Sequence, residues 1–297
     1  MSQWWTAVTR ATFVIFNYYI DGVSAGLIKA RAATEGPWCF WGERPGYRFP
    51  WLARLARLSR LGPLRSGRAP IWGIGRWAVN AYRAEFGDAR AYMNLPYYSN
   101  LDRFRAAQPK YSSDITFLFS GSLIHRKGVD LLARAFGHTA AANPRVRLKI
   151  MGDGPLQPRL MQTLGASDRV EWVGFTDWNA LVPVYESPHV LCVPSRHDGW
   201  GLVVPEGLAA GLPTIATDHT GAALDLIKPR HNGWLVRAGD LDGLSRAMKQ
   251  AARLDGDEWS SMSHRARASI VDHSLPIGAA RLLGGVDHAL SQSRGLN

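Results

Sequence analysis

Cysteine and long apolar runs are scarce in this sequence. Its two cysteines, Cys39 and Cys192, cannot build a disulfide scaffold or a structural zinc site, and they suggest a reducing compartment. No apolar run approaches the roughly 18 residues that a membrane span needs, because the nearest one, residues 11–20, is interrupted by Asn17. Residues 1–5 also lack the basic region of a secretory signal. These absences predict a soluble, cytoplasmic protein.

The overall composition is typical of a folded globular chain. Apolar residues make up 46% of the sequence and charged residues 20%, which excludes disordered, collagen-like and coiled-coil proteins. With domains of about 100–200 residues as the usual size, the 297 residues allow two domains or one large one.

The net charge of +11 is concentrated in the first part of the chain. Residues 1–110 hold 16 Lys and Arg against 6 Asp and Glu, whereas residues 111–297 hold 19 against 18. A basic surface favours an anionic partner, such as nucleic acid, a membrane or a phosphate-bearing substrate. The alternative is that a composition with 29 Arg and 6 Lys places arginines on any solvated face.

Strands and helices alternate in the second part of the chain. Short apolar runs predict strands at residues 115–119, 146–151, 170–173, 190–193 and 214–217. Apolar residues at helical spacing predict helices at residues 129–136, 158–164, 180–185, 205–210 and 241–254. This order predicts a parallel, doubly wound sheet whose ligands bind beyond the carboxyl ends of the strands.

The first part of the chain is less regular. The pattern predicts strands at residues 11–20 and 38–41 and helices at residues 24–34 and 51–61. The last of these helices combines leucine and arginine at helical spacing: Leu52, Arg54, Leu55, Arg57, Leu58, Arg60 and Leu61. Two strands are too few for a complete Rossmann-like domain, and a boundary is predicted within residues 97–110.

Three loops at predicted strand ends are rich in glycine and polar residues: residues 120–128, 152–155 and 194–206. Their glycines allow close approach to the backbone, and Arg126 and Lys127 near a helix start suit phosphate oxygens. In the third loop, Asp198 and Glu206 can accept hydrogen bonds from hydroxyls. One such loop alone is an ordinary turn, but three in order along one sheet edge predict a binding site.

These motifs resemble those of retaining family 4 glycosyltransferases, which have GT-B architecture. The similar segments are Phe119-Ser-Gly-Ser, Arg126-Lys-Gly-Val-Asp, Met151-Gly-Asp-Gly-Pro, Val173-Gly-Phe and residues 193–214, in the family's order and spacing within residues 90–255. The resemblance implies an α/β fold with a complete C-terminal Rossmann-like donor domain, built on a parallel doubly wound sheet, and an incomplete N-terminal Rossmann-like acceptor domain.

The resemblance also implies an activity. A sugar would move with retention from a nucleotide-diphosphate sugar of UDP or GDP type to a glycan or a lipid-linked acceptor, in polysaccharide or glycolipid biosynthesis. The family uses no cofactor for this transfer, and no metal is expected. The expected partners are therefore the nucleotide sugar and the acceptor, and nucleic acid is not among them.

The family's donor-site roles transfer to matching positions of this sequence. Asp198 and the amides of residues 199–202 would hold the sugar and phosphate, and Glu206 would hold the ribose. Lys127 would bind the diphosphate, and Gly152 would lie beside the base. The complete predicted donor site is Gly121, Ser122, Arg126, Lys127, Gly152, Asp153, Asp198, Gly199, Trp200, Gly201, Leu202 and Glu206.

Two positions depart from the family pattern. Asp198 stands where the family usually has glutamate, although the shorter carboxylate is still a competent acceptor. Ser122 stands where the family often has arginine, which weakens the diphosphate site unless Arg126 or His125 compensates.

The N-terminal part resembles only the second half of the family's acceptor domain. At about 30 residues per βαβ-type unit, three absent units amount to about 90 residues, so the chain is expected to be N-terminally truncated. The predicted domains are residues 1–105 on the acceptor side, residues 106–275 for the nucleotide sugar, and a tail at residues 276–297 that packs back on the N-terminal part.

One further catalytic candidate comes from this part of the chain. The family often places a sugar-contacting histidine after the strand that matches residues 38–41, but residues 1–110 contain no histidine. Glu43 lies near that place, and the alternative is a solvated loop carboxylate. The predicted catalytic residues are therefore Asp198, Glu206, Lys127 and Glu43.

Other functions fit the sequence less well. Paired carboxylates also serve glycosidases, but the strand-end loops favour transfer from a nucleotide sugar. Residues 73–78 fit G-x-G-x-x-A, yet no clear strand precedes them and no acidic residue lies near residue 95, which argues against a dehydrogenase. No nucleic-acid motif accompanies the basic charge. The remaining alternative is a non-catalytic or partner-dependent donor-binding fragment.

The helix at residues 51–61 adds a hypothesis about location. Its leucines and arginines would suit a peripheral contact with an anionic membrane, at the inner face, where a lipid-linked acceptor sits. The alternative is a helix that covers the first sheet.

Overall fold

The computed structural model describes residues 3–34, 36–45, 50–177 and 180–294. They form two compact units, one of residues 1–97 and 276–297 and the other of residues 98–275. The chain passes from the first unit to the second after residue 97 and returns after residue 275, whereas the boundaries predicted from the sequence follow residues 105 and 275.

A four-stranded parallel sheet with the order β1-β2-β3-β4 forms the centre of the first unit. Its strands are β1 (Val14–Phe16), β2 (Trp38–Gly42), β3 (Ile71–Gly73) and β4 (Tyr92–Asn94). Its helices before residue 98 are α1 (Gln3–Arg10), α2 (Gly22–Ala32), α3 (Pro50–Arg60), α4 (Gly62–Ser66) and α5 (Arg76–Phe86). Ile28, Phe40, Leu61, Ile71 and Tyr82 are among the side chains of its core.

The first unit differs from the sequence-based prediction in its strands. The strand predicted at residues 11–20 is wrong over most of its length, because only Val14–Phe16 is extended. The expectation that no strand precedes residues 73–78 is also wrong, since β3 leads into α5 there. Strands β3 and β4 have three residues each, which is too short for a period-2 pattern to show.

Gly73 explains why the G-x-G-x-x-A segment has glycine where β3 ends. A Cβ at this position would lie 2.5 Å from the backbone nitrogen of Val79 in α5. Only glycine therefore lets the helix approach the strand this closely. The motif has a structural explanation within the first unit.

The second unit contains a six-stranded parallel sheet with the order β10-β9-β8-β5-β6-β7. Its strands are β5 (Ile115–Ser120), β6 (Val146–Met151), β7 (Val170–Gly174), β8 (Val190–Val193), β9 (Thr214–Thr217) and β10 (Gly233–Val236). Its helices are α6 (Asp102–Ala106), α7 (Val129–Ala142), α8 (Gln157–Leu164), α9 (Leu181–Glu186), α10 (Val203–Ala209), α11 (Gly221–Leu226), α12 (Leu241–Ala251) and α13 (Gly256–Ala268). The five strands predicted for this part of the chain are confirmed.

Local signals explain where several helices of this unit begin. Asp240 caps α12 by accepting a hydrogen bond from the Gly243 amide at 2.8 Å. Asp255 and Glu258 form a reciprocal capping box at the start of α13. Elements α11, β10 and α13 were not predicted, and the capping box is the signal that would have found α13.

Burial in the second unit follows the sheet. Strands β5, β6 and β8 supply its central apolar side chains, such as Phe117, Ile150 and Val190. Helix α12 buries Leu244 and Met248, one turn apart, in the same core. The rigid strands in turn fix the positions of the loops that follow them.

The last helix, α14 (Leu275–Arg294), belongs to the first unit from residue 276 onward. Within the described ranges, no helix combines the length and the apolar character that crossing a membrane would require. The side chains of Arg54 and Leu58, which entered the prediction for residues 51–61, lie outside the described residues.

Candidate functional site

Three loops follow β5, β6 and β8 and meet at the carboxyl edge of the six-stranded sheet. The Gly121 amide donates to the Met151 carbonyl at 3.0 Å, and the Leu123 amide donates to the Asp153 carbonyl at 2.6 Å. The Arg196 amide donates to the Arg126 carbonyl at 2.8 Å. The structure thus brings together the three segments that the sequence singled out.

Arg196 joins the first loop to the third. Its guanidinium makes a bidentate pair with Asp130 in α7, with both distances 2.7 Å, and it also donates to the His125 carbonyl at 2.7 Å. Burial alone would raise the pKa of Asp130, but the hydrogen bonds and charge of Arg196 outweigh it and hold that pKa below its ordinary value. Both residues lie in the motifs quoted above, yet sequence reasoning assigned them no role.

A cluster of two cations and one carboxylate occupies this edge. Lys127 Nζ lies 2.6 Å from Asp198 Oδ2, and Arg126 Nη1 lies 3.8 Å from Asp198 Oδ1. Asp198 is buried, whereas Arg126 is exposed. Because the two cations outnumber the carboxylate, the cluster retains positive charge that can bind phosphate oxygens.

The backbone around Asp198 is fixed by the loop that precedes α11. The Asp198 amide donates to the His219 carbonyl at 2.9 Å, and the Gly221 amide donates to the Asp198 carbonyl at 3.1 Å. The Ala222 amide donates to the Trp200 carbonyl at 2.8 Å. These bonds hold Gly199, Trp200 and Gly201 in one conformation.

The Trp200 side chain anchors the same loop by packing into the interior of the second unit. It is 1% exposed, and the His273 ring stacks against it at 5.8 Å between centroids. Tyr98 in turn stacks on the His273 ring, with 4.4 Å between the two ring centroids. Sequence reasoning missed Tyr98 and His273, because they come from opposite ends of the second unit.

Glu206 lies in the first turn of α10 and is half-buried. Burial raises its pKa to about 7, while a hydrogen bond from Tyr185 and the charge of Lys127 act in the opposite direction. The Tyr185 hydroxyl is 3.5 Å from Glu206 Oε2. Tyr185 is a further residue of the site that sequence reasoning did not identify.

The glycine loop after β6 requires its glycine. Gly152 has φ of 122°, and a Cβ there would collide with the Gly121 carbonyl oxygen. The predicted residues Ser122, Asp153 and Leu202 are exposed at this edge.

Glu43 belongs to the first unit. It follows β2 and is exposed. The neighbouring Arg44 guanidinium stacks on the ring of Trp77, with Cζ 3.5 Å from the ring centroid. Within the part of the chain that the structure describes, no group of three or more His, Cys, Asp or Glu could hold a metal ion.

The family of the chain follows from a match to residues 101–269, which carry the three loops. The matching model is that of the glycosyl transferases group 1. The chain belongs to this family.

Several members of the family are similar in sequence. A GDP-mannose-dependent monoacylated alpha-(1-6)-phosphatidylinositol monomannoside mannosyltransferase of Corynebacterium glutamicum is 26% identical over 243 residues, which are 75% of this chain and 61% of that protein. A GDP-mannose-dependent alpha-mannosyltransferase of Mycobacterium tuberculosis is 33% identical over 166 residues, which are 56% of this chain and 41% of that protein. The chain thus matches about two fifths to three fifths of the length of these relatives.

Solved structures show the same fold. Alr3699/HepE of Anabaena, in complex with UDP, has a TM-score of 0.78 at 15% identity and covers 96% of this chain and 80% of its own. The lipopolysaccharide outer core galactosyltransferase WaaB has a TM-score of 0.75 at 19% identity and covers 96% of this chain and 77% of its own. The predicted GT-B-like α/β fold with two parallel, Rossmann-like sheets is confirmed.

Proposed function

We propose that this protein is a retaining glycosyltransferase that takes its sugar from a nucleotide-diphosphate sugar. The observation that carries the proposal is the cluster of Lys127, Arg126 and Asp198 at the edge where three glycine-containing loops meet. Clustered cations and oriented backbone amides stabilise the negative charge that a leaving diphosphate develops. Family membership supports the same activity.

The reaction assigns a task to each part of the cluster. The bond between the sugar's anomeric carbon and the diphosphate breaks, and the diphosphate takes the electron pair. Lys127 and Arg126 stabilise that charge. The acceptor hydroxyl attacks the face that the diphosphate leaves, and its proton passes to a leaving phosphate oxygen. We propose that the two cations do this without a divalent metal.

Glu206 and Asp198 have binding tasks in this scheme. The ionised Glu206 carboxylate accepts hydrogen bonds from the ribose hydroxyls. Asp198, with the amides of residues 199–202, positions the sugar. Before the donor binds, Asp198 also holds Lys127 in place through their 2.6 Å contact. Glu43 would act on the sugar or the acceptor.

The nucleotide is of GDP or UDP type. Relatives similar in sequence are named as GDP-mannose-dependent enzymes. A structure similar in fold is a complex with UDP. We favour GDP, because the GDP-mannose-dependent relatives are 26% and 33% identical to this chain, whereas the protein in the UDP complex is 15% identical.

Isothermal titration with GDP, UDP and ADP tests the donor site. We expect one of the first two to bind and Lys127→Ala to weaken that binding by about 100-fold, the effect of losing a charge-assisted contact of about 3 kcal/mol. Arg159→Ala is the matched control, because Arg159 is an exposed cation on α8 of the same unit. A folded protein that binds none of the three would contradict the proposal.

A second candidate function does not require the chain to catalyse transfer by itself, and the chain matches 61% of the corynebacterial relative. It is donor binding without catalysis, or catalysis only with a partner chain. Nucleotide binding at the Lys127 site, combined with neither transfer nor donor hydrolysis by the chain alone, would favour it. Donor turnover that persists in EDTA would support the metal-independent enzyme instead.

We also propose that α3 contacts an anionic membrane. Trp51, Leu52 and Leu55 are 65%, 48% and 59% exposed, so the helix does not bury this apolar surface within its own unit. Arg57 of the same helix is buried and bonded to Glu85, with Nη2 and Oε2 2.9 Å apart, which attaches the helix to the unit by its other face. The excess of arginine and lysine in residues 1–110 supplies the matching charge.

A further inference from the structure

Arg44 follows β2 in the first unit, beside the predicted catalytic residue Glu43. Its guanidinium lies over the indole ring of Trp77 with Cζ 3.5 Å from the ring centroid. Trp77 is the second residue of α5, which starts after β3. The Ile74 amide donates to the Gly42 carbonyl at 2.9 Å, so the segments that carry the two side chains are fixed to each other.

The Arg44 guanidinium is only partly satisfied by this contact. Its Nη1 is shielded from solvent and has no hydrogen-bond partner among the described residues. Burial lowers the pKa of Arg44, which reflects the loss of water around the charge. Stacking on an aromatic ring holds a guanidinium in place and leaves its N–H groups pointing outward in the guanidinium's own plane, where they can donate hydrogen bonds.

Other shielded arginines of the protein are bonded internally. Their terminal nitrogens donate to backbone carbonyls or to a carboxylate: Arg31, Arg57, Arg90 and Arg267. These hydrogen bonds account for the burial of the four arginines, because each side chain joins segments that are distant in the sequence. Arg44 makes no such tie through Nη1. Because the residue as a whole is only half-buried, its charge remains available to an external oxyanion.

The position of Arg44 indicates that this oxyanion belongs to the acceptor. Ligands of parallel α/β sheets bind beyond the carboxyl ends of the strands, and Arg44 follows the carboxyl end of β2. At the same edge, Trp41 donates to the Leu95 carbonyl at 2.8 Å and packs edge-on against Tyr97, which adds an aromatic wall of the kind that sugar rings contact. The surrounding charge favours an anion as well, with 16 cationic against 6 anionic residues in positions 1–110.

We propose that Arg44, clamped on Trp77, binds a phosphate or carboxylate group of the acceptor and so selects anionic acceptors over neutral ones. The proposal rests on the glycosyltransferase activity proposed above. A phosphate could belong to a soluble sugar phosphate or to a lipid headgroup, and both present two oxygens that a guanidinium can bind through parallel hydrogen bonds.

Titrations of the full chain with paired probes test the proposal. Glucose 6-phosphate and glucose are compared in the presence of a saturating nucleoside diphosphate, which occupies the Lys127 site. We expect glucose 6-phosphate to bind at least ten-fold more tightly than glucose, and Arg44→Ala to abolish the difference. Arg44→Lys should restore it only in part, because lysine lacks the planar fork. Arg10→Ala, an exposed cation of the same unit, is the matched control.

A parallel arm uses vesicles of phosphatidylglycerol and of phosphatidylcholine. Loss of sugar-phosphate binding in Arg44→Ala supports a soluble anionic acceptor, and loss of phosphatidylglycerol retention supports a lipid headgroup. If Arg44→Ala changes neither glucose 6-phosphate binding nor phosphatidylglycerol retention, the proposal is overturned. Arg44→Gln, checked by circular dichroism, serves as the second variant should the alanine variant fail to fold.

The same titrations separate this proposal from the proposed function. Nucleoside diphosphate binding should be unchanged in Arg44→Ala and weakened in Lys127→Ala. If no nucleoside diphosphate binds, the donor proposal fails, and the probes are then titrated in the Lys127→Ala background. Retained donor binding with no preference for either anionic probe overturns the Arg44 proposal alone.

Discussion

Among single residues, Glu206 carries the clearest pH signature. Burial raises its pKa from 4.5 to about 7, so the folded chain binds more protons than the unfolded chain between these two values. The contribution of this group to the free energy of unfolding is therefore fully present below pH 4.5 and is lost as the pH rises through 7. At 1.36 kcal/mol per pKa unit the loss amounts to about 3 kcal/mol.

Donor binding should show the opposite trend at the same residue. The ionised carboxylate accepts stronger hydrogen bonds from ribose hydroxyls than the protonated carboxyl group does, so we expect nucleoside diphosphate affinity to increase between pH 6 and pH 8. The terminal phosphate also titrates near this range, and the informative quantity is the difference between the wild type and Glu206→Gln. Calorimetric titration at five pH values should show a midpoint near 7 in that difference. Glu186→Gln, an exposed carboxylate at the end of α9, is the control, and identical profiles for the wild type and Glu206→Gln would contradict this assignment.

At the scale of elements, the donor loop depends on a stack that crosses the second unit. Trp200 lies under the loop, His273 follows α13, and Tyr98 precedes α6. His273→Ala removes the middle ring and leaves Trp200 without its stacking partner. We expect a loss of about 1 kcal/mol in the loop's preorganisation and therefore a donor KM about five-fold higher.

A positioning role can be separated from a general loss of stability. His273→Phe keeps the stack and should restore the donor KM, and His264→Ala removes an exposed histidine of α13 without touching the loop. Steady-state kinetics with varied donor and fixed acceptor give KM and kcat separately. A fall in kcat with unchanged KM in His273→Ala would contradict the positioning role.

Elements and loops of the second unit were predictable where the signal is local. The sequence of β6 alternates apolar and charged residues over residues 146–150 and the strand stops before Gly152, and Asp198 follows a buried strand in a glycine-containing loop. The contacts that complete the site are different in kind. Arg196 meets Asp130 across 66 residues, and the pairing depends on the order of strands in the sheet rather than on any local pattern.

In the first unit, prediction was limited by element length. Strands β1, β3 and β4 have three residues each, so tertiary pairing rather than periodicity determines them. No local sequence pattern distinguishes Arg44, because its stacking on Trp77 follows from the parallel pairing of β2 with β3. Its chemistry becomes visible only once the two strand ends are neighbours.

For the whole molecule, the uneven distribution of charge predicts that membrane binding and nucleotide binding respond differently to salt. The cationic excess lies in residues 1–110, whereas residues 111–297 are nearly neutral. Membrane attraction through dispersed surface charges is screened once the Debye length falls from about 10 Å at 0.1 M salt toward 3 Å at 1 M. The contact of Lys127 with Asp198 is short and partly shielded from solvent, and a diphosphate held there is screened less.

We therefore expect salt to release the protein from membranes before it releases the nucleotide. In sedimentation with phosphatidylglycerol vesicles, raising NaCl from 0.05 to 0.5 M should lower the bound fraction at least five-fold, while the nucleoside diphosphate Kd changes by less than about three-fold.

Replacing both Leu52 and Leu55 of α3 by serine should lower vesicle binding at low salt. Met161→Ser removes an exposed apolar residue of the second unit and should leave it unchanged. Absence of vesicle binding at 0.05 M NaCl, or equal loss in the α3 and Met161 variants, would exclude α3 as the membrane contact.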